Sequence, residues 1–234
     1  MKKAVLLCSV LLLLLSSCDY TTGSGKIISE KRTVGQFSAL SVSNAFEVEV
    51  KIGAVQEITV EADDNLMKYI RTDVSGHTLK IRTEDIHNLN NAHLKVFVTT
   101  TGLESINASA AANVKVLDQL KGTGTLSFTA SSAAEIEAEV DAPEIKANSS
   151  SAGTVRLKGN TKDYKAEASS GASIRTKDLM AENTDVSVSS GATADVYASV
   201  SLVAEASSGG DVNYSGAATV KESKSSGGDI HKKD

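Results

Sequence analysis

One short phrase recurs seven times in the second half of the chain and limits what the chain can fold into. Each copy has a serine, three small residues, a polar residue and an aliphatic residue. Solenoids, in which each repeat packs only on its neighbours, typically repeat every 20 to 50 residues or so. The leading serines, separated by 22, 19, 19, 20, 18 and 18 residues, are Ser109, Ser131, Ser150, Ser169, Ser189, Ser207 and Ser225.

The residues on both sides of the small-residue phrase alternate between apolar and polar types. The aliphatic position is apolar in every copy, and the position two residues later is again mostly apolar. This period of two predicts strands with one buried face. The position between them is polar and reads Lys115, Glu137, Arg156, Arg175, Asp195, Asn213 and His231.

Each repeat is therefore interpreted as a strand, a tight corner and a second strand. Stacking such repeats lets every backbone group pair with the coils above and below, which predicts an all-β fold, a parallel β-helix with about 18 to 22 residues per coil. We expect the corner serines to hydrogen-bond along the stack. Glycine allows a positive φ at the third corner position, which is occupied in the later copies by Gly171, Gly191, Gly209 and Gly227.

The corner also leads to a steric expectation. Identical positions of successive coils should lie one strand spacing apart, so that a bulky side chain would collide with its neighbours. A valine at Gly171 should therefore cost more than a valine at Gly227, whose coil has a neighbour on one side only.

The chain is expected to form one continuous domain over residues 27–234, with regular coils over 104–234. Residues 27–103 do not keep the period and predict an irregular β-rich start. Strands are expected at 46–52, 57–61, 78–82 and 94–98, and one short helix within 63–70. The segment beginning at Ser43 is a weak eighth copy of the phrase, so this part is expected to begin the same β-helix.

Residues 1–17 are typical of a secretory signal peptide, with two lysines, an apolar run and small residues at its end. The segment Leu15–Cys18 resembles a bacterial lipobox, which implies cleavage before Cys18 and its lipidation. The alternative is an ordinary signal peptide that leaves Cys18 as a free thiol. Residues 18–26 then form the lipidated cysteine and a polar tether. Lipidation implies anchoring in the membrane of the cell envelope, with the outer membrane expected.

Loss of the signal peptide removes Lys2 and Lys3, so the mature chain has 22 basic and 29 acidic residues, a net charge of −7. An acidic chain is a poor candidate for nucleic-acid binding. The four histidines, His77, His87, His93 and His231, lack metal-ligand spacing. Asp211 and Asp229 follow glycine pairs, as in calcium-binding nonapeptide repeats, but lack the nine-residue period. We expect no metal, no cofactor and no catalytic residues.

Three stretches resemble the family known as putative auto-transporter adhesin, head GIN domain. They are Phe37–Val48, Ile58–Leu66 and Gly210–Gly216 followed by Ser226–Ile230. The order and spacing of these stretches carry the resemblance, which covers nearly all of the mature chain. It implies a right-handed single-stranded β-helix on the envelope of Bacteroidota, and it brings no catalytic residues.

Two functions remain open. The first is a non-catalytic, adhesin-like envelope lipoprotein that binds a glycan or a protein with a flat face of the β-helix. The second is a carbohydrate-active enzyme similar to polysaccharide lyases, a resemblance that implies calcium and an Arg or Lys base and draws attention to Arg156 and Arg175. Since acids share the same column, cross-strand ion pairs are the simpler interpretation of these arginines.

Replacing Cys18 with alanine should move the protein from the membrane fraction to the soluble fraction or leave it unprocessed, because acyl chains supply the anchoring free energy. Fractionation of cells labelled with a fatty-acid probe measures both effects. Continued labelling of the Cys18→Ala protein would contradict the assignment.

Overall fold

The computed structural model describes residues 20–86 and 88–233. The predicted signal peptide, Cys18 and His87 lie outside the described residues. The described chain is built of β-strands and one 3₁₀ helix, Met67–Tyr69, which stands where a short helix was expected within residues 63–70. None of its helices combines the length and the apolar character needed to cross a membrane.

Nine strands form the N-terminal part of the described chain. They are β1 (Thr21–Thr22), β2 (Ile27–Arg32), β3 (Ala39–Val42), β4 (Glu47–Ile52), β5 (Glu57–Asp63), β6 (Ile70–Ser75), β7 (Thr78–Thr83), β8 (Leu89–Asn90) and β9 (Leu94–Thr100).

Thirteen strands follow in the part with the regular repeat. They are β10 (Ser105–Ala108), β11 (Asn113–Val116), β12 (Leu120–Lys121), β13 (Thr125–Ala130), β14 (Glu135–Ser149), β15 (Thr154–Ala168), β16 (Ser173–Arg175), β17 (Leu179–Val188), β18 (Thr193–Tyr197), β19 (Ser201–Ala206), β20 (Asp211–Ser215), β21 (Thr219–Lys224) and β22 (Asp229–Lys232).

Each coil of the stack has a leading strand before the corner and a trailing strand after it. Leading strands pair in parallel with leading strands, and trailing strands with trailing strands. Ala130 lies opposite Ala108, for example, and Ile136 lies opposite Val114 and Val155. Partner residues are separated by the same numbers of residues as the repeated serines. The predicted all-β solenoid is confirmed, with coils of roughly 19 residues.

The aliphatic residues of the trailing strands form one continuous column in the core. Each of them is at most 4% exposed. Burying such a side chain contributes roughly 1.5–3 kcal/mol relative to leaving it in water, so the column is a main source of stability. From the N-terminal end of the stack, the column reads Val96, Val48, Val114, Ile136, Val155, Ile174, Ala194, Val212 and Ile230.

Every corner turns on two successive residues with positive φ. In the coil that begins at Ser169, these are Ser170 (φ 54°) and Gly171 (φ 68°), and Ala172 donates a 3.2 Å hydrogen bond back to the carbonyl of Ser169. This is the type I′ geometry. The amide of Gly171 also donates to the carbonyl of Ser190 in the next coil, at 3.1 Å. The backbone ladder therefore continues through the corners without a break.

The hydroxyl groups of the seven leading serines do not form the expected ladder. Within the described chain, none of these hydroxyls makes a hydrogen bond to another protein group, and the links between coils are made by backbone groups instead. The corner serines therefore hydrogen-bond along the stack through their backbone groups and not through their hydroxyls. A small side chain suffices at this position.

The steric argument for Gly171 is also wrong. A Cβ atom added at Gly171 or at Gly227 would meet nothing within 4 Å. The crowded position is the next one along the corner, where a Cβ on Gly153 would lie 2.6 Å from the carbonyl oxygen of Ala130. The expected difference in the cost of valine between Gly171 and Gly227 thus loses its steric basis. At both positions, the positive φ is what disfavours other residues.

The weak copy of the phrase at Ser43 is a corner of the same stack. Asn44 and Ala45 both have positive φ, and the amide of Ala45 donates to the carbonyl of Ala110 at 2.8 Å. Strands β3 and β4 pair with β10 and β11 on one side and with β7 and β9 on the other. The coil that comes first in the chain is therefore second in the stack.

Antiparallel strands cover the N-terminal end of the stack. Strand β6 pairs with β7 in a hairpin, whereas β5 pairs with β9 and β2 pairs with β5. At the opposite end, Glu222 and Lys224 occupy inward positions of β21 and are exposed. The two ends of the solenoid therefore differ, and only the first is capped by extra strands.

The segment expected to be a polar tether is docked on the capped end of the solenoid. Strand β1 pairs with β8, and the buried carboxylate of Asp63 accepts 2.7 Å hydrogen bonds from the amides of Gly25 and His93. Asp64 binds the hydroxyl of Ser24 at 2.7 Å. Hydrogen bonds to a charged group contribute about 1.5–3 kcal/mol each, so this segment is held firmly.

The corner geometry predicts different costs for two glycine substitutions. Gly171→Ala should lower the free energy of unfolding by about 1–2 kcal/mol, the cost of the left-handed conformation. Alanine already occupies this conformation at Ala133 and Ala152. Gly153→Ala should cost more, because its methyl group would overlap the backbone of the preceding coil. Chemical denaturation of both variants measures the difference, and a larger loss at Gly171 would contradict the corner geometry.

Candidate functional site

A groove crosses the trailing strands of six successive coils and reaches Lys233 in the next coil. Its volume is about 720 Å³ and its walls are both polar and apolar. The outward positions from Lys115 to Asn213 line it on one side, and the ends of the trailing strands line it on the other. Five strand spacings of about 4.8 Å separate its first and last coils, so the trailing groove is roughly 24 Å long.

The parallel register brings the charged residues of this face into two outward columns. Glu137, Arg156 and Arg175 lie directly opposite one another in successive coils, and Asp195 follows. Two residues further along the strands, Glu139 lies opposite Lys158. Acidic and basic side chains therefore come from different coils.

The three acids of one coil are all held by cations of neighbouring coils. Glu137 pairs with Lys115 at 3.3 Å, and Glu139 pairs with Lys158 at 3.0 Å. Glu135, which lies outside the two columns, accepts a hydrogen bond from Nε of Arg156 at 2.6 Å. The cross-strand ion pairs favoured from the sequence are therefore present between the coil of Glu137 and its two neighbouring coils.

The coil that carries Arg175 does not have such cross-strand ion pairs. Arg175 lies directly opposite Arg156, so that two cations face each other across one strand spacing, an arrangement that is destabilising. The Nε of Arg175 donates to the hydroxyl of Ser173 at 3.2 Å, and neither Arg175 nor Lys177 forms an ion pair with any described residue. Asp195, on the far side, instead accepts a 3.1 Å hydrogen bond from the side-chain amide of Asn213.

A turn places Lys177 in the groove. The amide of Leu179 donates to the carbonyl of Thr176 at 3.0 Å, so the chain reverses at Lys177 and Asp178. Thr176 is fully buried, and its amide and its hydroxyl both donate to the carbonyl of Asp195. This anchor fixes the turn, and Lys177 and Asp178 are exposed on the groove wall.

The groove also has apolar and aromatic parts. Leu117 is 42% exposed at one end, and Tyr214 is half-buried at the other. Partial burial and the carboxylate of Glu222, 3.4 Å away, raise the pKa of the Tyr214 hydroxyl above its ordinary value. Tyr214 is therefore a neutral hydrogen-bonding group at physiological pH, with an apolar ring.

The other candidates from the sequence lie apart from one another. Asp211 and Asp229 are opposite each other in the last coils, with His231 3.9 Å from Asp211, and His93 lies 3.6 Å from Glu61. Across residues 20–86 and 88–233, no three histidine, cysteine, aspartate or glutamate side chains come together as a group that could hold a metal. Cys18 lies outside the described residues.

A family model described as "putative auto-transporter adhesin, head GIN domain" matches residues 36–218. That stretch is well over half of the chain. The chain belongs to the head GIN domain family.

Solved structures agree with this assignment. A putative adhesin from Bacteroides fragilis is 18% identical, with a TM-score of 0.81 over 91% of this chain and 98% of that one. A putative adhesin from Parabacteroides distasonis is 20% identical, with a TM-score of 0.75 over 92% and 100% of the two chains. At these identities, the likeness establishes the shared fold.

A further solved structure with a similar fold carries a different description. It is a putative lipid binding protein from Parabacteroides distasonis, 17% identical, with a TM-score of 0.74 over 92% of this chain and 100% of that one. No match is found among curated proteins. The family and the fold are therefore shown, whereas the ligand has to be argued from the groove.

Replacing Arg175 with glutamate should change the free energy of unfolding by less than about 1 kcal/mol, because it removes the repulsion from Arg156 but places a new like charge opposite Asp195, and the side chain is exposed. The neighbouring substitution Ile174→Asp should lower it by roughly 3 kcal/mol or more, since it buries an unpaired polar group in the core column. Urea denaturation is suitable because urea leaves the charges unscreened. Equal losses in the two variants would show that the faces of β16 are misassigned.

Proposed function

We propose that this chain is a non-catalytic binding protein of the bacterial cell envelope, lipid-anchored at Cys18 and presenting the trailing groove to its ligand. The observation that carries the proposal is the groove, which runs over six coils and holds cations that the fold leaves unpaired. Membership of an adhesin-like family supports a binding role and a location on the envelope or cell surface.

The rigidity of the groove favours binding. Its walls are side chains on strands whose backbone groups are already paired with the coils above and below. Such a surface loses little conformational entropy when a ligand binds, because its shape is formed in advance. An extended, pre-formed groove is a common means of recognition in solenoid proteins.

The docked N-terminal segment gives the groove a defined position. Only Asp19 and Tyr20 separate Cys18 from the paired strand β1. A lipid on Cys18 would therefore hold the capped end of the solenoid against the membrane. The coil of Lys115 is the third in the stack, and the later coils lie progressively further from that end. The groove would then extend away from the membrane, where a ligand can reach it.

A polysaccharide-lyase activity is not proposed. Such an enzyme would need an arginine or lysine base beside clustered acids that are free to hold calcium. The acids nearest to Arg156 are instead each held by a cation, as the ion pairs of Glu135, Glu137 and Glu139 show.

Binding by the groove can be tested with a matched pair of variants. Detergent-extracted full-length protein is screened against arrayed glycans and matrix proteins, and each ligand found is titrated against Asn213→Trp and Asn148→Trp. Both asparagines are half-buried at outward strand positions, but only Asn213 lines the trailing groove.

Filling the groove with the Asn213→Trp side chain should weaken binding about tenfold or more, and Asn148→Trp should bind like the parent protein. Failure to bind any arrayed molecule would contradict the proposed function. Equal effects of the two tryptophans would exclude the groove as the binding surface.

A further inference from the structure

We infer that the ligand of the trailing groove is an acidic glycan, whose carboxylate or sulfate groups bind to Arg156, Arg175 and Lys177. This inference rests on the proposed function and names the chemistry of the ligand. Among the described residues, the only ion pair formed by these three cations is that of Arg156 with Glu135.

Arg156 and Arg175 repel each other because they carry like charges at directly opposite positions. In a parallel stack with a fixed register, opposite residues are held one strand spacing apart, so the two strands cannot slip to separate the charges. An anion bound between the guanidinium groups would turn this unfavourable contact into two favourable ones. Arginine suits that role because its planar group binds carboxylate and sulfate through paired hydrogen bonds.

The acids near the two arginines do not take up their terminal amino groups. Asp195 lies directly opposite Arg175, but it accepts a hydrogen bond from Asn213 and forms no ion pair with Arg175. The acids of the adjacent coil, Glu135, Glu137 and Glu139, are taken by Arg156, Lys115 and Lys158. In the part of the chain that the structure describes, the terminal amino groups of Arg156 and Arg175 have no hydrogen-bond partner, since each side chain donates only through Nε. Donor groups are therefore available at the middle of the groove.

The turn at Lys177 brings a third cation into the groove with the two arginines. Its ammonium group extends from the groove wall in the same coil as Arg175, and the buried Thr176 fixes the turn that carries it. Three cations from two neighbouring coils then face one stretch of groove. A ligand with a single anionic group would satisfy one or two of them, whereas an anionic chain lying along the groove can satisfy all three.

The paired backbone favours a glycan over a peptide. An extended peptide that binds to a sheet commonly does so by adding a strand at an exposed edge. The strands beneath the middle of the groove have neighbours on both sides and offer no edge. A glycan needs no backbone partners, because its hydroxyl groups bind to side chains. Asn213 and the neutral hydroxyl of Tyr214 provide such partners beyond the cations.

The test is binding of polygalacturonate, a linear polyuronate, to the detergent-extracted full-length protein by calorimetry. The double variant Arg175→Ser/Lys177→Ser is compared with Lys162→Ser/Lys221→Ser. The control removes two exposed cations that form no ion pair with described residues and lie outside the groove, so the change in net charge is the same. Melting curves establish that both variants are folded. Neutral dextran and phosphatidylglycerol vesicles are the comparison ligands.

The expected result is binding of polygalacturonate that weakens with added salt, falls tenfold or more in Arg175→Ser/Lys177→Ser and persists in the control. Equal losses in the two double variants would overturn the inference, since net charge alone would explain binding. Binding of dextran, of vesicles or of an arrayed protein without polygalacturonate would overturn the acidic glycan and leave the proposed function standing. No binding of any of these, together with a failed array screen, would overturn both.

Discussion

The structure depends on one constraint, the in-register parallel pairing of each coil with the next through its corner. The amide of Ala152 donates to Ser170 and the amide of Gly171 to Ser190, each at 3.1 Å, so the ladder that joins the strands also joins the turns. This requires two successive residues with positive φ at every corner of the repeated phrase, and serine, alanine, glycine and, in one coil, asparagine occupy those positions. Residues with bulky or β-branched side chains would make each turn more costly.

The same register aligns equivalent residues of successive coils in columns. Contacts between neighbours in a column either stabilise or destabilise the stack. An inward column of aliphatic residues gains from each added coil. An outward column of charges gains only where the signs alternate, as at Lys115 and Glu137. Arg156 and Arg175 interrupt that alternation within the groove, and Lys146 opposite Lys165 interrupts it on the leading strands outside the groove. Within the groove, this like-charge pair is the feature of the fold that favours an anionic ligand.

The regular coils could be predicted from the sequence because every signal there is local and repeated. The spacing of the serines equals the spacing of the paired strands, and the inward column beginning at Val114 follows from alternation alone. The positions of the charged side chains could be predicted equally well. Their partners could not, since Arg156 binds to Glu135 at a diagonal position and not to the directly opposite Glu137.

The N-terminal part could not be predicted in the same way, because its contacts are not periodic. Nothing in the period indicates that the coil of β3 and β4 lies between the coil of β7 and β9 and the coil of β10 and β11. Nor does it indicate that Asp63 docks the segment around Gly25. The glycines of the corners show the same limit on a smaller scale. Gly153, Gly210 and Gly228 occupy a corner position that is alanine in the other four copies of the phrase, and only the backbone of the preceding coil shows that these three are crowded.

Amide hydrogen exchange at the corners tests the central claim most directly. The account predicts that the amides of Ala152, Gly171 and Gly191, which donate to the next coil, exchange as slowly as the amide of Ile174 in the adjacent strand, because all of them open only when coils separate. Fast exchange at these three corner amides beside slow exchange in the strands would contradict it. The corners would then be mobile surface loops, and in-register pairing would not extend through them.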